Sequence, residues 1–185
     1  MLIKNKKKIL SIIFLGLFAL NISTKAEEFN ITAKEILIDK TNEILTGIGS
    51  VEAIDNDGNK INADKIIYYK STESLLAEGN VKIIDNFNNI LISEKANFDK
   101  INEIISTYEN TEVIIKEGYK LVTKNLLYNT SSKIISSNED SIFSDPDGNN
   151  IKTTMFQYNI IKNIFSSIGE IKIIDINKNK YLFKE

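Results

Sequence analysis

Residues 75–84 read LLAEGNVKII, and thirty residues earlier residues 45–54 read LTGIGSVEAI. Both stretches alternate apolar residues with polar or small ones, and each places a glycine, Gly49 or Gly79, inside what is otherwise a β-strand pattern. A glycine inside a strand costs stability and usually marks a bulge, a sharp bend or a close backbone approach. The recurrence predicts a structural repeat in which the same bend is made several times.

The repeat continues through most of the chain when the sequence is written, without gaps, in lines of 30 residues. The lines begin at Ile31, Ile61, Leu91, Leu121 and Ile151. The eighth column holds Ile38, Tyr68, Phe98, Tyr128 and Tyr158, and the fifteenth holds Leu45, Leu75, Ile105, Ile135 and Phe165. Breaks between the alternating stretches fall at turn-forming residues such as DNDGNK and YKSTE. Each line therefore predicts two strands, and the fold class is all-β.

Short turns between successive strands predict an antiparallel meander of about 11 strands. The alternation slips by one residue around Asp64 and Lys65, which exchanges the two faces unless a bend absorbs it. Glycine recurs in one column of the other strand, at Gly49, Gly79 and Gly169. Both features predict corners, so that the sheet folds lengthwise into two walls with an apolar trough between them. Glu109 and Glu139 occupy the glycine column in the third and fourth lines, which predicts a shallower bend there or one made by another residue.

The first 26 residues have the three-part layout of a secretory signal peptide. MLIKNKKK is a positive segment, residues 9–20 form an apolar run, and Thr24 and Ala26 are small residues ahead of Glu27. The apolar run is shorter than the roughly 20 residues needed to span a bilayer as a helix. We predict a cleaved signal peptide at 1–26 and an exported domain at 27–185; an uncleaved anchor is the alternative.

Composition excludes several classes of function. The chain has no Cys and no His, which rules out disulfides, thiolate chemistry, zinc fingers and histidine-based catalysis. Loss of residues 1–26 removes five of the 23 basic residues and none of the 25 acidic ones, which leaves a net charge of −7. A net-negative chain without arginine argues against a nucleic-acid partner, because that binding depends on neutralising phosphates.

No segment has the pattern of a catalytic or metal site. The stretches DNDGN (55–59) and DPDGN (145–149) resemble the start of a calcium loop, but no glutamate stands at the twelfth loop position. Asp-Gly is expected at a hairpin turn, which is the interpretation we prefer. The paired carboxylates of Glu139 and Asp140 have no partner that would make a catalytic constellation. We predict no enzymatic activity, no metal and no cofactor.

The stretch INADKIIYYKSTESLLAEGNVKIID (61–85) resembles the repeat of the OstA-like lipopolysaccharide-transport family. That family includes LptA, the periplasmic domain of LptC and the N-terminal domain of LptD. The resemblance covers most of the predicted mature chain, although only the second line matches closely. It implies a V-shaped, β-jellyroll-like stack of antiparallel strands in the periplasm. The interior of such a stack holds lipopolysaccharide acyl chains on the way from the inner to the outer membrane.

Apolar residues that alternate along the predicted strands are the candidates for lining the trough and binding lipid. They are Ile36, Ile38, Leu45, Ile66, Tyr68, Leu75, Phe98, Ile105, Leu126, Tyr128, Ile135, Phe156, Tyr158 and Phe165. Burial of an acyl chain against them is favourable by about 0.8 kcal/mol per CH₂. Any two-walled sheet needs an apolar core, however, so each of these residues could serve packing alone.

The stretch YLFKE (181–185) falls on the first columns of a sixth line, which predicts either a short last strand with an open edge or the front part of a longer protein. An open edge favours aggregation unless it is used for strand addition. The resemblance implies end-to-end joining with other Lpt-type β-jellyroll proteins or with further copies of this chain. LptA-like, LptC-like and LptD-like roles all remain open. The alternative function is an exported structural β-repeat module for adhesion or assembly, with a fully packed core.

Overall fold

The computed structural model describes residues 29–115, 117–162 and 164–184, and these residues form one antiparallel sheet of 17 strands. A 3₁₀ turn at Lys70–Thr72 is the one helical element in these ranges. The first nine strands are β1 (Phe29–Thr32), β2 (Glu35–Asp39), β3 (Ile44–Asp55), β4 (Lys60–Tyr69), β5 (Ser74–Ile84), β6 (Ile90–Asp99), β7 (Ile104–Tyr108), β8 (Thr111–Ile114) and β9 (Lys120–Thr123). The others are β10 (Leu126–Asn129), β11 (Ile134–Ser137), β12 (Ser141–Ser144), β13 (Asn150–Thr153), β14 (Phe156–Asn159), β15 (Ile164–Ser167), β16 (Ile171–Ile174) and β17 (Lys180–Phe183).

The 17 strands correspond to 11 passes of the chain across the sheet. Strands β3 to β6 are unbroken passes of 10 to 12 residues. Strand β17 forms a short pass of its own. Six further passes are each divided into two short strands: β1/β2, β7/β8, β9/β10, β11/β12, β13/β14 and β15/β16. The predicted all-β antiparallel meander is confirmed, with many of its strands interrupted at the bend.

Strand pairing divides the sheet into two walls. Strand β9 pairs with β8 and β12, whereas β10, which follows it directly in the chain, pairs with β7 and β11. The first wall contains β1, the parts of β3 to β6 at residues 51–55, 60–63, 81–84 and 90–93, and β8, β9, β12, β13, β16 and β17. The second wall contains β2, the remaining parts of β3 to β6, and β7, β10, β11, β14 and β15. Each full pass therefore crosses from one wall to the other.

The fold line between the walls lies where the sequence predicts corners. The register shifts between residues 48 and 51, between 62 and 65, and between 78 and 81. Gly79 (φ 75°) and Asn80 (φ 49°) both adopt the left-handed conformation in the middle of β5. The slip at Asp64 and Lys65 and the corner at Gly79 are therefore confirmed, and they face each other across one pair of strands.

The third line differs from the expectation of a shallower or displaced bend. Glu109 (φ 63°) and Asn110 (φ 49°) adopt the same left-handed pair of conformations as Gly79 and Asn80. A non-glycine residue can do so at a cost of about 1–2 kcal/mol, so the bend is made by Glu109 itself. Glu139, in the fourth line, has no positive φ, so the chain there turns without a left-handed residue.

Two hydrophobic clusters lie between the walls. The first belongs to the N-terminal lines and consists of Phe29, Val51, Ala53, Ile61, Ala63, Ile66, Leu75, Ala77, Val81 and Ala96, with Ile31, Ala33, Tyr68, Ile83 and Phe98 at its margin. The second belongs to the C-terminal lines and consists of Leu121, Leu126 and Phe156, with Leu91, Val113, Tyr128, Ile135, Phe143, Tyr158 and Phe165 around it. Each cluster draws residues from both walls, as expected of a sheet folded over its own core.

The side chains along the fold line change character between the two halves of the molecule. In the first two lines these columns hold Ala33, Gly47, Val51, Ala63, Ala77 and Val81. In the later lines they hold the buried hydroxyl residues Ser93, Thr107, Thr111, Thr123, Ser137, Ser141 and Thr153. Adjacent hydroxyls are hydrogen-bonded, for example Thr107 with Thr111 at 2.6 Å and Ser141 with Thr123 at 3.0 Å. Every buried side-chain oxygen or nitrogen in the described ranges has a partner.

The predicted signal peptide lies outside the described residues. Within the three ranges that the structure covers, no helix has the length and apolarity required to cross a membrane.

Candidate functional site

A cavity of about 430 Å³ lies between the two walls in the C-terminal half of the sheet. Most of its lining is aliphatic or aromatic, and polar side chains occur at its rim. The lining residues are Val113, Ile115, Tyr119, Lys120, Leu121, Ile135, Phe143, Ser144, Asp145, Asn149, Ile151, Phe156, Tyr158, Phe165 and Ile173. Its size falls within the roughly 300–1,000 Å³ typical of small-molecule sites.

Three phenylalanines pack against one another at the wall of the cavity. The ring centroids of Phe143 and Phe165 are 4.6 Å apart, and those of Phe143 and Phe156 are 4.7 Å apart, both edge to face. Phe156 and Phe165 are stacked at 5.9 Å. Phe143 comes from the first wall and the other two from the second, so the cluster joins the walls beside the cavity. Mutual packing holds these rings in fixed positions and leaves an apolar surface facing the space.

The N-terminal half is filled differently at the corresponding place. Phe29, at the start of β1, is buried and packs edge to face against Tyr68 and Phe98, with centroid distances of 5.7 and 5.8 Å. Tyr68 and Phe98 belong to the same repeat column as Tyr158, which lines the cavity in the fifth line. The ring of Phe29 therefore occupies, in the first half, space between the walls that the second half leaves open.

Four of the 14 predicted site residues line the cavity: Ile135, Phe156, Tyr158 and Phe165. Leu126 and Tyr128 pack in the same cluster, and Ile66, Tyr68, Leu75 and Phe98 pack in the N-terminal cluster. Leu45 and Ile105 are half-buried in the second wall. Ile36 and Ile38 lie on β2 at the edge of the second wall, and they are 43% and 65% exposed. The structure thus separates a set that was uniform in the sequence.

All 14 predicted residues belong to the second wall, whereas most of the cavity lining comes from the first. The first-wall lining includes Val113, Leu121, Phe143, Ile151 and Ile173. A signal for them was present in the sequence, because Val113, Phe143 and Ile173 occupy one apolar column of the repeat. The column alone does not identify lining residues, because the register change at the fold line conceals which columns face one another across the trough.

Hairpin turns form the rim of the first wall, and in four of the described turns an aspartate binds an asparagine four residues later. Asn149 donates its backbone N–H to Asp145 Oδ1 at 2.8 Å and its side-chain Nδ2–H to Asp145 Oδ2 at 2.6 Å. The same Asp–Asn clasp closes the turns Asp55–Asn59, Asp85–Asn89 and Asp175–Asn179. The carboxylates of the predicted calcium-like stretches are thus bonded within their own turns, as expected of hairpins.

Hydrogen bonds and burial shift the pKa of several groups at the rim of the first wall and in the interior. The Asn149 side chain, with backbone N–H groups of the turn, holds the pKa of Asp145 below its usual value, against a smaller opposing effect of burial. Asn179 does the same for Asp175. Burial raises the pKa of the Tyr128 hydroxyl, and the negative charge of Asp85 adds to that rise. Asp145 and Asp175 therefore stay ionised and Tyr128 stays neutral near pH 7.

The sequence model of the OstA-like protein family matches residues 18–154, which is 137 of the 185 residues. The chain belongs to the OstA-like family. Within this OstA-like chain the cavity extends past the matched segment, because Phe156, Tyr158, Phe165 and Ile173 follow residue 154. These four residues continue the same repeat columns, so the fold is uniform across the end of the match.

One solved structure supports the same fold. LptH from Pseudomonas aeruginosa, described as the LptA-homologous periplasmic component of the conserved lipopolysaccharide transport device, matches the OstA-like chain with a TM-score of 0.54 at 12% identity. The match covers 60% of this chain and 81% of LptH. The TCP10 domain of Danio rerio CPAP covers 84% of this chain and 100% of its own length at 10% identity, but its TM-score of 0.17 is too low to indicate a common fold. The comparison with curated proteins gives no match.

Proposed function

We propose that this OstA-like protein is a periplasmic component of lipopolysaccharide transport between the inner and outer membranes and holds acyl chains in the cavity between its walls. The observation that carries the proposal is the apolar space of about 430 Å³ inside a sheet of the OstA-like family. The fold shared with LptH, a periplasmic component of lipopolysaccharide transport, supports it.

The chemistry of the lining suits a hydrocarbon ligand. Leu121, Ile135, Phe143 and Phe165 present apolar groups to the interior, and the charged groups Lys120 and Asp145 lie at the rim. Transfer of each CH₂ from water to such a surface is favourable by about 0.8 kcal/mol, so several methylenes provide substantial affinity. A sugar–phosphate headgroup would have to leave its hydration shell to enter, which is unfavourable. The acyl chains therefore lie inside and the headgroup outside.

Among the residues identified from the sequence, we assign lipid contact to Ile135, Phe156, Tyr158 and Phe165, because these four line the cavity. The first-wall residues Leu121 and Phe143 complete the contact from the opposite side. Ile66, Leu75, Tyr68 and Phe98 stabilise the fold by packing in the N-terminal cluster. Half of the interior thus serves the ligand and half serves stability.

One observation favours the alternative of a structural β-repeat module. The ring of Phe29 fills the N-terminal half of the interior against Tyr68 and Phe98. A purely structural module would show this packing throughout and would bind no lipid. The cavity beside Phe143 and Phe165 is the feature that such a module does not need.

Site-specific photo-crosslinking distinguishes the two functions. A photoreactive amino acid in place of Tyr158, expressed in cells and activated before lysis, should capture lipopolysaccharide. The matched position is Tyr68, which stands in the same repeat column but packs against Phe29, and it should capture little. Protein purified without detergent should also carry lipopolysaccharide, detectable by mass spectrometry. If neither Tyr158 nor Tyr68 captures lipid and the purified protein is lipid-free, the transport proposal fails.

We also propose that the open edges of the sheet join it end to end with other Lpt-type β-jellyroll proteins or with copies of itself. Strand β2 pairs with β3 on one side and exposes Ile36, Leu37 and Ile38 at the edge, and β17 pairs with β16 and exposes Tyr181, Leu182 and Phe183. Exposed apolar edge strands favour strand addition. Leu182→Pro, which removes a backbone donor from β17, should lower the apparent mass in light scattering at high protein concentration if copies associate.

Export through a cleaved signal peptide remains part of the proposal. N-terminal sequencing of protein recovered from the periplasmic fraction should begin at Glu27. A mature chain that begins at Met1 and sediments with membranes would favour the uncleaved anchor instead.

A further inference from the structure

One turn of the first-wall rim departs from the pattern of the other four. In the turn at residues 115–119, Ile115 takes the place of the aspartate and Tyr119 the place of the asparagine. The backbone still closes the turn, because the Ile115 N–H donates to the Tyr119 carbonyl at 2.9 Å and the Gly118 N–H to the Ile115 carbonyl at 2.8 Å. The turn therefore keeps its shape while its clasp of polar side chains is replaced by two apolar ones.

The hydrogen bond between neighbouring turns changes at the same place. Asn59 Oδ1 accepts the Asn86 N–H from the next turn at 3.3 Å, and Asn149 Oδ1 accepts the Ile176 N–H at 2.9 Å. Between the third and fourth turns the equivalent residues are Tyr119 and Pro146, which have neither the amide oxygen nor the N–H. Pro146 is the one proline of the chain, and it packs on Gly118, 3.3 Å from where a Cβ would stand.

This apolar stretch of rim borders the cavity. Ile115 and Tyr119 both belong to the lining, and Tyr119 is 51% exposed, so its ring joins the interior to solvent. Phe87 and Ile176 are also exposed on rim turns, but their turns keep the Asp–Asn clasp and neither residue lines the cavity. The clasped fourth turn, Asp145–Asn149, also lines the cavity, so the rim beside the cavity has a polar side at the fourth turn and an apolar side at the third.

We propose that Ile115 and Tyr119 form an apolar lip over which the acyl chains of the bound lipid leave the cavity toward a headgroup held outside. This inference rests on the proposed function and specifies where the ligand crosses the rim. A clasped turn at that point would place an ionised aspartate and its hydrated partner against methylene groups, which is unfavourable. The lip removes that barrier, and the two backbone hydrogen bonds that it shares with the other turns keep the turn intact.

The decisive variant restores the clasp with Ile115→Asp combined with Tyr119→Asn, the pair found in the four other turns. Its control, Asp55→Ile combined with Asn59→Tyr, places the apolar pair on a turn of the N-terminal half. Affinity is measured for lipopolysaccharide and for a fluorescent fatty acid, anthroyloxy stearate. Closing the lip should weaken both by about tenfold or more, and the control should stay within about twofold of the unaltered chain.

The outcomes separate the lip from the function on which it rests. If the unaltered chain binds both probes and the clasp variant binds them equally well, the lip is wrong while the cavity proposal stands. If the unaltered chain binds neither probe, the proposed function fails and the lip with it. Should the double variant not fold, Tyr119→Ser takes its place.

A photoreactive residue at position 119 should label the acyl chain, and equal labelling from position 59 would also overturn the lip.

Discussion

At the scale of single residues, the corner at Gly79 combines two constraints on the side chain. Its φ of 75° disfavours any residue with a Cβ, and an added Cβ would stand 2.5 Å from Asp64 Oδ2 and 3.0 Å from Asp64 Cβ. We expect Gly79→Val to lower the free energy of unfolding by about 2–4 kcal/mol, from left-handed strain and from displacement of Asp64. Urea unfolding followed by circular dichroism measures the loss.

The control for this prediction is Gly148→Val. Gly148 has a similar φ of 93°, but nothing lies within 4 Å of its Cβ position. That variant should lose only the strain contribution, about 1–2 kcal/mol. Equal losses in the two variants would contradict the role of Asp64. Replacement of Asp64 by alanine in the Gly79→Val background should recover part of the difference, since it removes the clashing group.

The buried hydroxyls along the fold line give a second prediction at this scale. Thr111 is fully buried, and its hydroxyl lies 2.6 Å from that of Thr107 and 3.3 Å from that of Ser93. We expect Thr111→Val to cost about 1 kcal/mol, because its neighbours lose a hydrogen-bond partner inside the protein. Thermal and urea unfolding would measure this change.

The reciprocal substitution serves as its test. Val51 occupies the same repeat column among the apolar residues Ala33 and Ala63. Val51→Thr should be destabilising by about 1–3 kcal/mol, because it buries a hydroxyl where the surrounding columns offer no side-chain acceptor. If Thr111→Val and Val51→Thr both leave the free energy of unfolding unchanged, the division of the fold line into apolar and hydroxyl parts does not contribute to stability.

The residue scale also shows what the sequence could and could not predict about the bend. Glycine at 79 and the slip at 64 predicted the corner because both have a specific backbone meaning. The left-handed Glu109 was not predictable, because a cost of about 1–2 kcal/mol is small enough for the surrounding sheet to impose. The sequence identifies a corner where a glycine marks it. Elsewhere the position of the corner depends on how the strands pair in the folded sheet.

At the scale of elements, the turns couple stability to pH. The side chain and the backbone N–H of Asn102 lower the pKa of Asp99 in the turn between β6 and β7. Asn149 has the same effect on Asp145 at the rim of the first wall. Folding lowers these pKa values, so near pH 4 the native state binds fewer protons than the unfolded chain. The stabilisation is complete above about pH 5 and decreases as the pH falls from about 3.9 through the lower folded pKa values.

A single substitution tests the cause of this dependence. Asn102→Ala should return the pKa of Asp99 toward its ordinary value, as measured by NMR titration of the Asp99 carboxyl carbon. The titration of Asp145 should not change, because its partner is Asn149. An unaltered Asp99 titration in the variant would show that the asparagine does not hold the carboxylate.

The rim of the first wall shows how far an element can be predicted from its sequence. The Asp-Gly pairs within the stretches at 55–59 and 145–149 predicted hairpin turns, and the structure has a turn at each place, closed by an Asp–Asn clasp. The proposed role of Ile115 and Tyr119 could not be predicted from the sequence alone. Their departure from the pattern becomes informative only when the cavity is found directly behind them.

At the scale of the whole molecule, the repeat conceals a division of the interior into two halves. The 30-residue period makes every line look equivalent, so the 14 candidate residues were distributed evenly along the chain. The space between the walls depends on which side chains meet across it, and this is a property of the folded sheet. Phe29 closes one half against Tyr68 and Phe98, whereas the rings of Phe143 and Phe165 leave a space beside them in the other.

This division predicts where a bound lipid stabilises the protein. Lipopolysaccharide at 100 times its dissociation constant should raise the free energy of unfolding by about 2.7 kcal/mol. Amide hydrogen exchange should show the added protection that comes from the ligand itself mainly in β8, β9 and β11 to β16, because residues of these strands line the cavity. Strands β3 to β5, packed around Phe29, should gain only what global stabilisation provides. Equal extra protection in both halves, measured where local openings dominate exchange, would contradict a ligand site confined to the C-terminal half.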